Sequence, residues 1–581
     1  MSDTPQNPLR LYHARTKHRF EAFAEGPGQL DWDAQPAAFR HYAGAPRLEL
    51  PLAADRYERP YGQLADAAKN PVAPSLDSLG ALFELSYAIS AWKSWGPSRW
   101  ALRCNPSSGN LHPVEAWALC GGLPGVPDGV HHYEAENHAL EGRALNGPRN
   151  ETPWLAIALS SVMWREAWKY GERAFRYCQL DVGHALGTLA YAAALLGWRI
   201  RPLAVDSATL AGLLGLDRAE FPSGRYAFTE VEEPEILLAV DAPGLGEMPD
   251  PAALRARFDA AGWQGAPSRI DPSPGYRWPI VDQAAAASRT SPGDGEKAAL
   301  ARSTAAADEN PQPPPGTDNA AADRIAAVPV TPPAAATGLF PAFPPLTASP
   351  VATGTAQLIR QRRSGQRFDP KCTLPFAAFV RLLDATLPRD IPPFTGQNGA
   401  PHIHLLLFVL RVDELPPGLY LLPRTPAAAD ELQATLQARF PAATPVDRSP
   451  AHLGLTLLQE LGLQELQRLA RALSCHQDIA STSAFSLGML GEFDTATVDG
   501  PGYRELLREA GRIGQALYLE AEGAGVRGTG IGCFFDDPVH TAFGLAGTRW
   551  QSVYHFTVGT PVVDARLETS PPYPQRPQEK P

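Results

Sequence analysis

No CxxC pair occurs in this chain. Its six cysteines (Cys104, Cys120, Cys178, Cys372, Cys475 and Cys533) are scattered, which argues against a disulfide frame or a cysteine zinc site and for reduced thiols. The 14 histidines form neither HExxH nor any other metal-ligand spacing, so no metal is expected. Positive charge is also short. Lys and Arg total 51 against 62 Asp and Glu, a net charge of -11, and nothing forms the basic stripe that displaces counterions from nucleic acid. Long uncharged apolar runs are missing, and the opening Met1–Pro8 has no apolar h-region. Neither a membrane span nor an export signal is therefore expected. What these absences leave is a soluble, cytoplasmic globular protein.

Length is what the chain has in quantity. Its 581 residues exceed what one core fills, and two domains are the natural division. Ala, Pro and Ser crowd into Gln283–Pro350, most clearly at Pro311–Pro315 and Pro332–Ala336. Such a segment buries too little apolar surface to offset its ordering entropy. It is expected as a largely disordered linker between an N-terminal domain with an N-terminal extension, 1–282, and a C-terminal domain, 351–581.

The two flanks repeat one another. Tyr177–Gly197 and Leu507–Gly525 read as helices apolar nearly all round, hence buried central helices. One offset, 511 − 183 = 328, sets Gly183 on Gly511, Leu189 on Leu517, Ala193 on Ala521 and Gly197 on Gly525. An offset of 329 sets Gly215-Leu216 on Gly544-Leu545. Strand-like Pro234–Val240 and Val553–Val558 follow in the same order. Upstream, Glu115–Leu119 with Gly129–Tyr133 parallels His402–Leu410 with Gly418–Tyr420. The expected fold class is α+β, two duplicated domains paired within one chain, the second carrying an insertion at about 430–500.

Two short stretches hold the functional signal. Asn105–Glu115 contains Pro106, Ser107, Ser108, Gly109 and Asn110; small side chains there let the backbone approach a flat ring, and hydroxyls and amide can bond its edge. Arg362–Asp369 contains Arg362, Arg363, Ser364, Gln366 and Arg367, ahead of a helix expected to open at Thr373. Guanidinium forks and a hydroxyl suit a doubly negative phosphate. On these residues the chain resembles a tandem member of the nitroreductase superfamily, in the branch of SagB-type azoline oxidases, over both flanks but not the linker. That resemblance implies two nitroreductase-like domains with FMN in their interface. An Arg-x-Ser-x-Arg segment of one domain would hold the phosphate and polar ring edge, and a Pro-Ser-Ser loop of the other would pack the ring. Gln366 stands where the family's pattern has arginine and Arg367 follows, so either side chain is a candidate to meet the flavin. The first half has no arginine in Leu64–Ala73, where an Arg-Ser segment would fall, and the second has Phe394–Pro401 in place of the Pro-Ser-Ser loop. One composite site, and one FMN per chain, is therefore expected, in a monomeric pseudo-dimer. The resemblance further assigns Ile531, Gly532 and Cys533 to a glycine-rich stretch beside flavin N5, and Arg566 to the phosphate.

Lys169 and Tyr170 resemble the Lys-Tyr pair proposed as catalytic in azoline oxidases. Oxidising an azoline ring removes a carbon-bound proton, for which a lysine of lowered pKa or a tyrosinate is a suitable base. The alternative is a surface lysine beside a half-buried tyrosine. His184, after Asp181 in the buried helix, reads as a satisfied core histidine, and His112 as a turn cap near the ring. Gly523–Gly528 fits GxGxxG in form, yet it closes a helix instead of opening one, so it reads as helix termination. The expected function is FMN-dependent dehydrogenation of an azoline-type heterocycle in a peptide, with a cyclodehydratase as partner. The alternatives are an NAD(P)H-dependent nitro or quinone reductase and a non-catalytic binding scaffold.

Overall fold

The computed structural model describes residues 7–147, 152–218, 226–293, 340–341, 343–397 and 399–576. Each half builds a seven-stranded antiparallel sheet. The first holds β1 (Arg47–Glu49), β2 (Val114–Gly121), β3 (Gly129–Glu134), β4 (Ala139–Leu145), β5 (Trp154–Ser161), β6 (Arg199–Pro202) and β7 (Glu233–Asp241), in the order β1-β4-β3-β2-β5-β7-β6. The second holds β8 (Ile403–Val409), β9 (Gly418–Leu422), β10 (Thr444–Pro445), β11 (Thr456–Glu460), β12 (Phe485–Glu492), β13 (Arg527–Ile531) and β14 (Trp550–Gly559), in the order β10-β11-β9-β8-β12-β14-β13. From the second strand inward the two orders coincide, β4 matching β11, β2 matching β8 and β7 matching β14. The central strands β2, β5 and β8 are buried at every position, which is why their sequences are mostly apolar without alternation, Glu115, Ser160, Ser161 and His404 excepted.

The expected insertion at 430–500 is interrupted by sheet. β10 and β11 lie between helix Pro426–Gln437 and helices Leu463–Leu473 and Asp478–Thr482, and β11 is the counterpart of β4, not added material. The helix expected to open at Thr373 begins at Phe376, behind Pro375, whose fixed φ suits the residue before a first turn. Helix Pro279–Ala287 buries Val281, Ala284 and Ala285, so ordered structure runs into the segment expected as linker. Residues 294–339 and 342 of that segment lie outside the described residues.

Two long helices join the halves. In the first half α1 (Met163–Tyr170) leads into α2 (Ala174–Leu195); α3 (Gly500–Gly523) is the second half's counterpart of α2. They pack on each other with almost no solvent-facing surface. Gly183 and Gly511, the pair that the repeat superimposes, lie at the crossing. A Cβ on Gly183 would fall 2.2 Å from the Arg508 carbonyl oxygen, and one on Gly511 2.2 Å from that of Leu180. Equivalent residues that touch each other mark a two-fold axis, so the chain is an intramolecular pseudo-dimer.

Both ends of the described chain cross this interface. Near the N-terminus, Lys17 pairs with Asp537 at 2.6 Å and the His18 N–H donates to Asp536 at 2.9 Å. Near the C-terminus, Glu568–Ser570 adds a strand to the first half's hairpin at Ile89–Trp95, and buried Tyr573 donates to the Ala135 carbonyl at 2.8 Å. Among the described residues no helix is long and apolar enough to cross a membrane.

Candidate functional site

A cavity of about 1020 Å³ opens between the halves, at the upper end of the usual size of a small-molecule site. The two motifs meet in it. Pro106, Ser107, Ser108, Gly109 and Asn110 line it from the first half, and Arg362, Arg363, Ser364 and Gln366 from the second. Tyr170, Gly532 and Cys533 line it as well. Four residues of interest stand off the wall. Ile531 is buried in the second half's core. Arg367 is exposed, and Arg566 is exposed and paired with Asp564 at 2.7 Å. Lys169 lies behind Gly109, where an added Cβ would fall 2.9 Å from its Nζ and 2.5 Å from the Tyr170 hydroxyl.

The 106–110 loop is tied down by an aspartate. Ser107 Oγ and Ser108 Oγ donate to the Asp181 carboxylate at 2.6 and 2.9 Å, and the Ser108 N–H donates to it at 3.0 Å. The two hydroxyls expected to reach a ligand are thus engaged with the protein. Gly109, Asn110 and His112 all hold left-handed backbone, at φ 58°, 60° and 52°. Non-glycine residues enter that region only under constraint, and here the His112 N–H donates to Ser107 Oγ at 2.8 Å while its Nε2 meets Asn110 Oδ1 at 3.0 Å. Asp181 is the residue whose role the sequence reading missed, having been read only as a partner for His184. A carboxylate inside an apolar helix was the available signal. His184 Nε2 instead bonds the Tyr554 hydroxyl across the interface at 3.1 Å, and burial lowers its pKa to about 3.

One end of the cavity concentrates positive charge from both halves. Lys93 and Arg103 come from the first half, and Arg362, Arg363 and Arg527 from the second. Arg362 is 4% exposed, and its guanidinium reaches the Arg103 carbonyl, at 3.3 Å, and the Tyr518 ring, at 4.9 Å. Burial, then Arg362 beside it, pulls Arg363 down to about 10, and burial, then Arg363 and Arg527, lowers Lys93. Mutual repulsion of this kind is relieved by an anion. The segment is held in place by Thr529 Oγ1, which donates to the Gly365 carbonyl at 2.6 Å, and by the Gly365 N–H, which donates to Gly528 at 3.1 Å. Five lining residues also carry a buried polar atom without a partner among the described residues: Arg103 Nε, Asn105 Oδ1, His112 Nδ1, His184 Nδ1 and Arg362 Nε. Such atoms are costly unless a ligand or water meets them. Five clustered cations at one end, with Glu522 as their acidic neighbour 3.8 Å from Arg527, and a loop with close backbone approach at the other, fit a flat heterocycle carrying a phosphate.

Behind Gly109 lies an acid–base cluster. Burial lowers the Lys169 pKa, while burial and then Glu166 hold the Tyr170 phenol well above its ordinary value. Glu166 is fully buried, neither of its carboxylate oxygens has a hydrogen-bond partner among the described residues, and burial and then Asp181 raise its pKa strongly. Burial lifts Asp181 to about 7. Of the two candidate bases, then, the lysine is the one shifted toward its neutral form, while the tyrosine is shifted toward keeping its proton.

The pseudo-symmetric position holds a second cavity of about 470 Å³, lined by Gln397, His402, Arg504, Glu505, Arg508 and Glu509 among others. Its cations are already neutralised. Arg504 pairs with Glu233 and Glu235, and Arg508 with Glu235 and Glu505, all at 2.6–2.8 Å. Glu509, 328 residues after Asp181, accepts from the His402 N–H at 2.7 Å, repeating the device by which Asp181 holds its loop. Elsewhere, half-buried His41 and Glu136 and buried Glu134 bring ligand atoms within 4.8 Å of one another, a grouping their scattered sequence positions did not announce.

No family model matches the chain. In fold it is similar to the crystal structure of a "putative nitroreductase" from Anabaena variabilis, with a TM-score of 0.59, 19% identity, and coverage of 96% of this chain and 100% of that one. At that identity the likeness establishes the fold alone. In sequence it is similar to the "Putative nitroreductase MJ1384" of Methanocaldococcus jannaschii, 29% identical over 16% of this chain and 52% of that protein. The chain spans about half the length of this curated relative. The fold is that of two nitroreductase-like α+β domains paired within one chain.

Proposed function

We propose that the chain is an FMN-dependent oxidoreductase that dehydrogenates an azoline-type ring carried by a peptide. The observation that carries this reading is the composite cavity, with buried Arg362 beside Arg363 from one half and the strained 106–110 loop from the other. FMN, when bound, supplies a two-electron acceptor for the hydrogens leaving the substrate ring. Arg362 and Arg363 hold its phosphate, with Lys93 and Arg527 adding charge. Backbone at 106–110 packs its ring, and the hydroxyls of Ser107 and Ser108 serve to hold that backbone on Asp181. Lys169, its pKa lowered by burial, takes the carbon-bound proton, and protonated Tyr170 donates a hydrogen bond beside it. A cyclodehydratase that makes the azoline is the natural partner.

The test is direct. Purified protein should show flavin absorbance, and Arg362→Ala with Arg363→Ala should lose it; a double variant that stays yellow would remove the phosphate assignment. Mixed anaerobically with an azoline peptide, the flavin should bleach and the peptide lose two hydrogens. The similarity to a protein named as a nitroreductase favours a second reading, NAD(P)H-dependent reduction at the same cavity. Rapid bleaching by NADPH without azoline would select it.

A further inference from the structure

Two cysteines, Cys475 and Cys533, line the main cavity, both partly exposed. One follows helix Leu463–Leu473 and the other follows β13, so they reach the wall on separate segments. The Phe535 N–H donates to the Leu473 carbonyl at 2.9 Å. Cys475 stands two residues after one partner of that bond and Cys533 two residues before the other, so the bond brings the two short segments that carry the cysteines together. Gln477 Nε2 closes the far side, donating to the Cys533 carbonyl at 3.0 Å. The two thiols interact, each shifting the other's hold on its proton. Cys475 and His476 hold φ of 50° and 60°, two successive non-glycine residues in left-handed backbone. Conformations of that kind persist where surrounding structure imposes them, and they gather at functional sites.

The surroundings favour a thiolate at one sulfur. Interaction with Cys475, then hydrogen bonding from His18, pulls the Cys533 pKa down, with Arg173 adding positive charge; the same interaction raises that of Cys475. Arg173 is fixed beside it by donating to the Gly532 carbonyl at 3.2 Å. A lowered pKa, partial exposure and an interacting second cysteine are what an exchanging thiol needs.

We propose that Cys475 and Cys533 form a reversible disulfide by exchange with a small disulfide oxidant of the glutathione type, which builds a two-electron dithiol centre into the cavity wall. The Cys533 thiolate attacks one sulfur of the oxidant, forming a mixed disulfide and expelling one thiolate. Cys475 gives its proton to that thiolate and attacks Cys533 Sγ, expelling the second thiolate, which takes up a proton from solvent. The oxidant gains two electrons as two thiols, and the protein pair loses two in one new S–S bond. Neither FMN nor an azoline is needed for this step, so its failure is separable from failure of the oxidoreductase reading.

The full-length protein is treated with oxidised glutathione, quenched with an alkylating agent and mapped by mass spectrometry. Wild type should lose alkylation at both positions together and yield a linked peptide pair holding Cys475 and Cys533. Cys475→Ser should instead retain glutathione on Cys533, and Cys533→Ser should slow oxidation of Cys475 by about tenfold or more. Full alkylation of both cysteines after treatment, or glutathione persisting on wild-type Cys533 with no linked pair, would overturn the proposal. Wild-type mapping needs no variant, and Cys475→Ala stands in should the serine variant not fold.

Discussion

At the scale of single residues, Asp181 does more than its place in an apolar helix suggests. Its carboxylate holds both serines of the 106–110 loop, and burial raises its pKa from 3.8 to about 7. Unfolded, the group ionises near its ordinary value, so between about pH 4 and pH 7 the native state binds more protons than the unfolded chain. Its contribution to stability therefore falls as pH rises through that window and is level above it. Asparagine cannot titrate. The urea midpoint of wild type relative to Asp181→Asn should decline from about pH 4 to about pH 7; a constant difference would show that Asp181 does not titrate there. Lys169→Ala tests the neighbouring cluster. The protein should stay yellow with turnover reduced about a hundredfold or more, the usual contribution of a positioned base, and normal turnover would exclude the lysine.

At the scale of elements, the α2–α3 crossing decides whether the halves can close on each other. Gly183 and Gly511 leave no room for a Cβ against the facing carbonyls. Backbone atoms cannot swing aside as a side-chain tip can, so Gly183→Ala must push the helices apart along their whole buried length. A loss of about 1–3 kcal/mol is expected by chemical denaturation. Gly462→Ala, where nothing lies within 4 Å of the added atom, is the control and should change stability by less than about 0.5 kcal/mol. Equal effects would mean the crossing tolerates separation. Such separation would also widen the cavity, so Gly183→Ala should bind flavin more weakly although its added methyl meets the Arg508 backbone, outside the main cavity's wall.

At the scale of the whole molecule, the halves are tied by reciprocal arms as well as by the helix crossing. Tyr573 carries the C-terminal arm. It is 3% exposed, packs in the first half's core and both donates to Ala135 and accepts from the Ile89 N–H at 3.0 Å. Replacing it with alanine leaves a cavity and two unpaired buried backbone groups, at a cost of about 3–5 kcal/mol. With both arms exchanged, the halves should unfold in one transition. Coincident fluorescence and circular dichroism curves would show it, and two separated midpoints would show independent domains.

Local composition and periodicity were enough to read much of this protein. The duplication, the buried pair of helices and the complementary motifs follow from apolar runs and residue types that each act over a few positions, and the offset of 328 already aligned the glycines that meet at the crossing. Local chemistry likewise marked Arg362, whose buried Nε has no partner among the described residues. Tertiary structure alone decided the rest, because it turns on which distant groups share one small volume. Asp181 grips serines more than seventy positions away, β11 takes a place in the sheet that looked like inserted sequence, and Cys475 and Cys533 come to line one cavity although no spacing rule links them. Which residues face each other across a fold depends on the sum of many packed contacts, and no short stretch of chain encodes that sum.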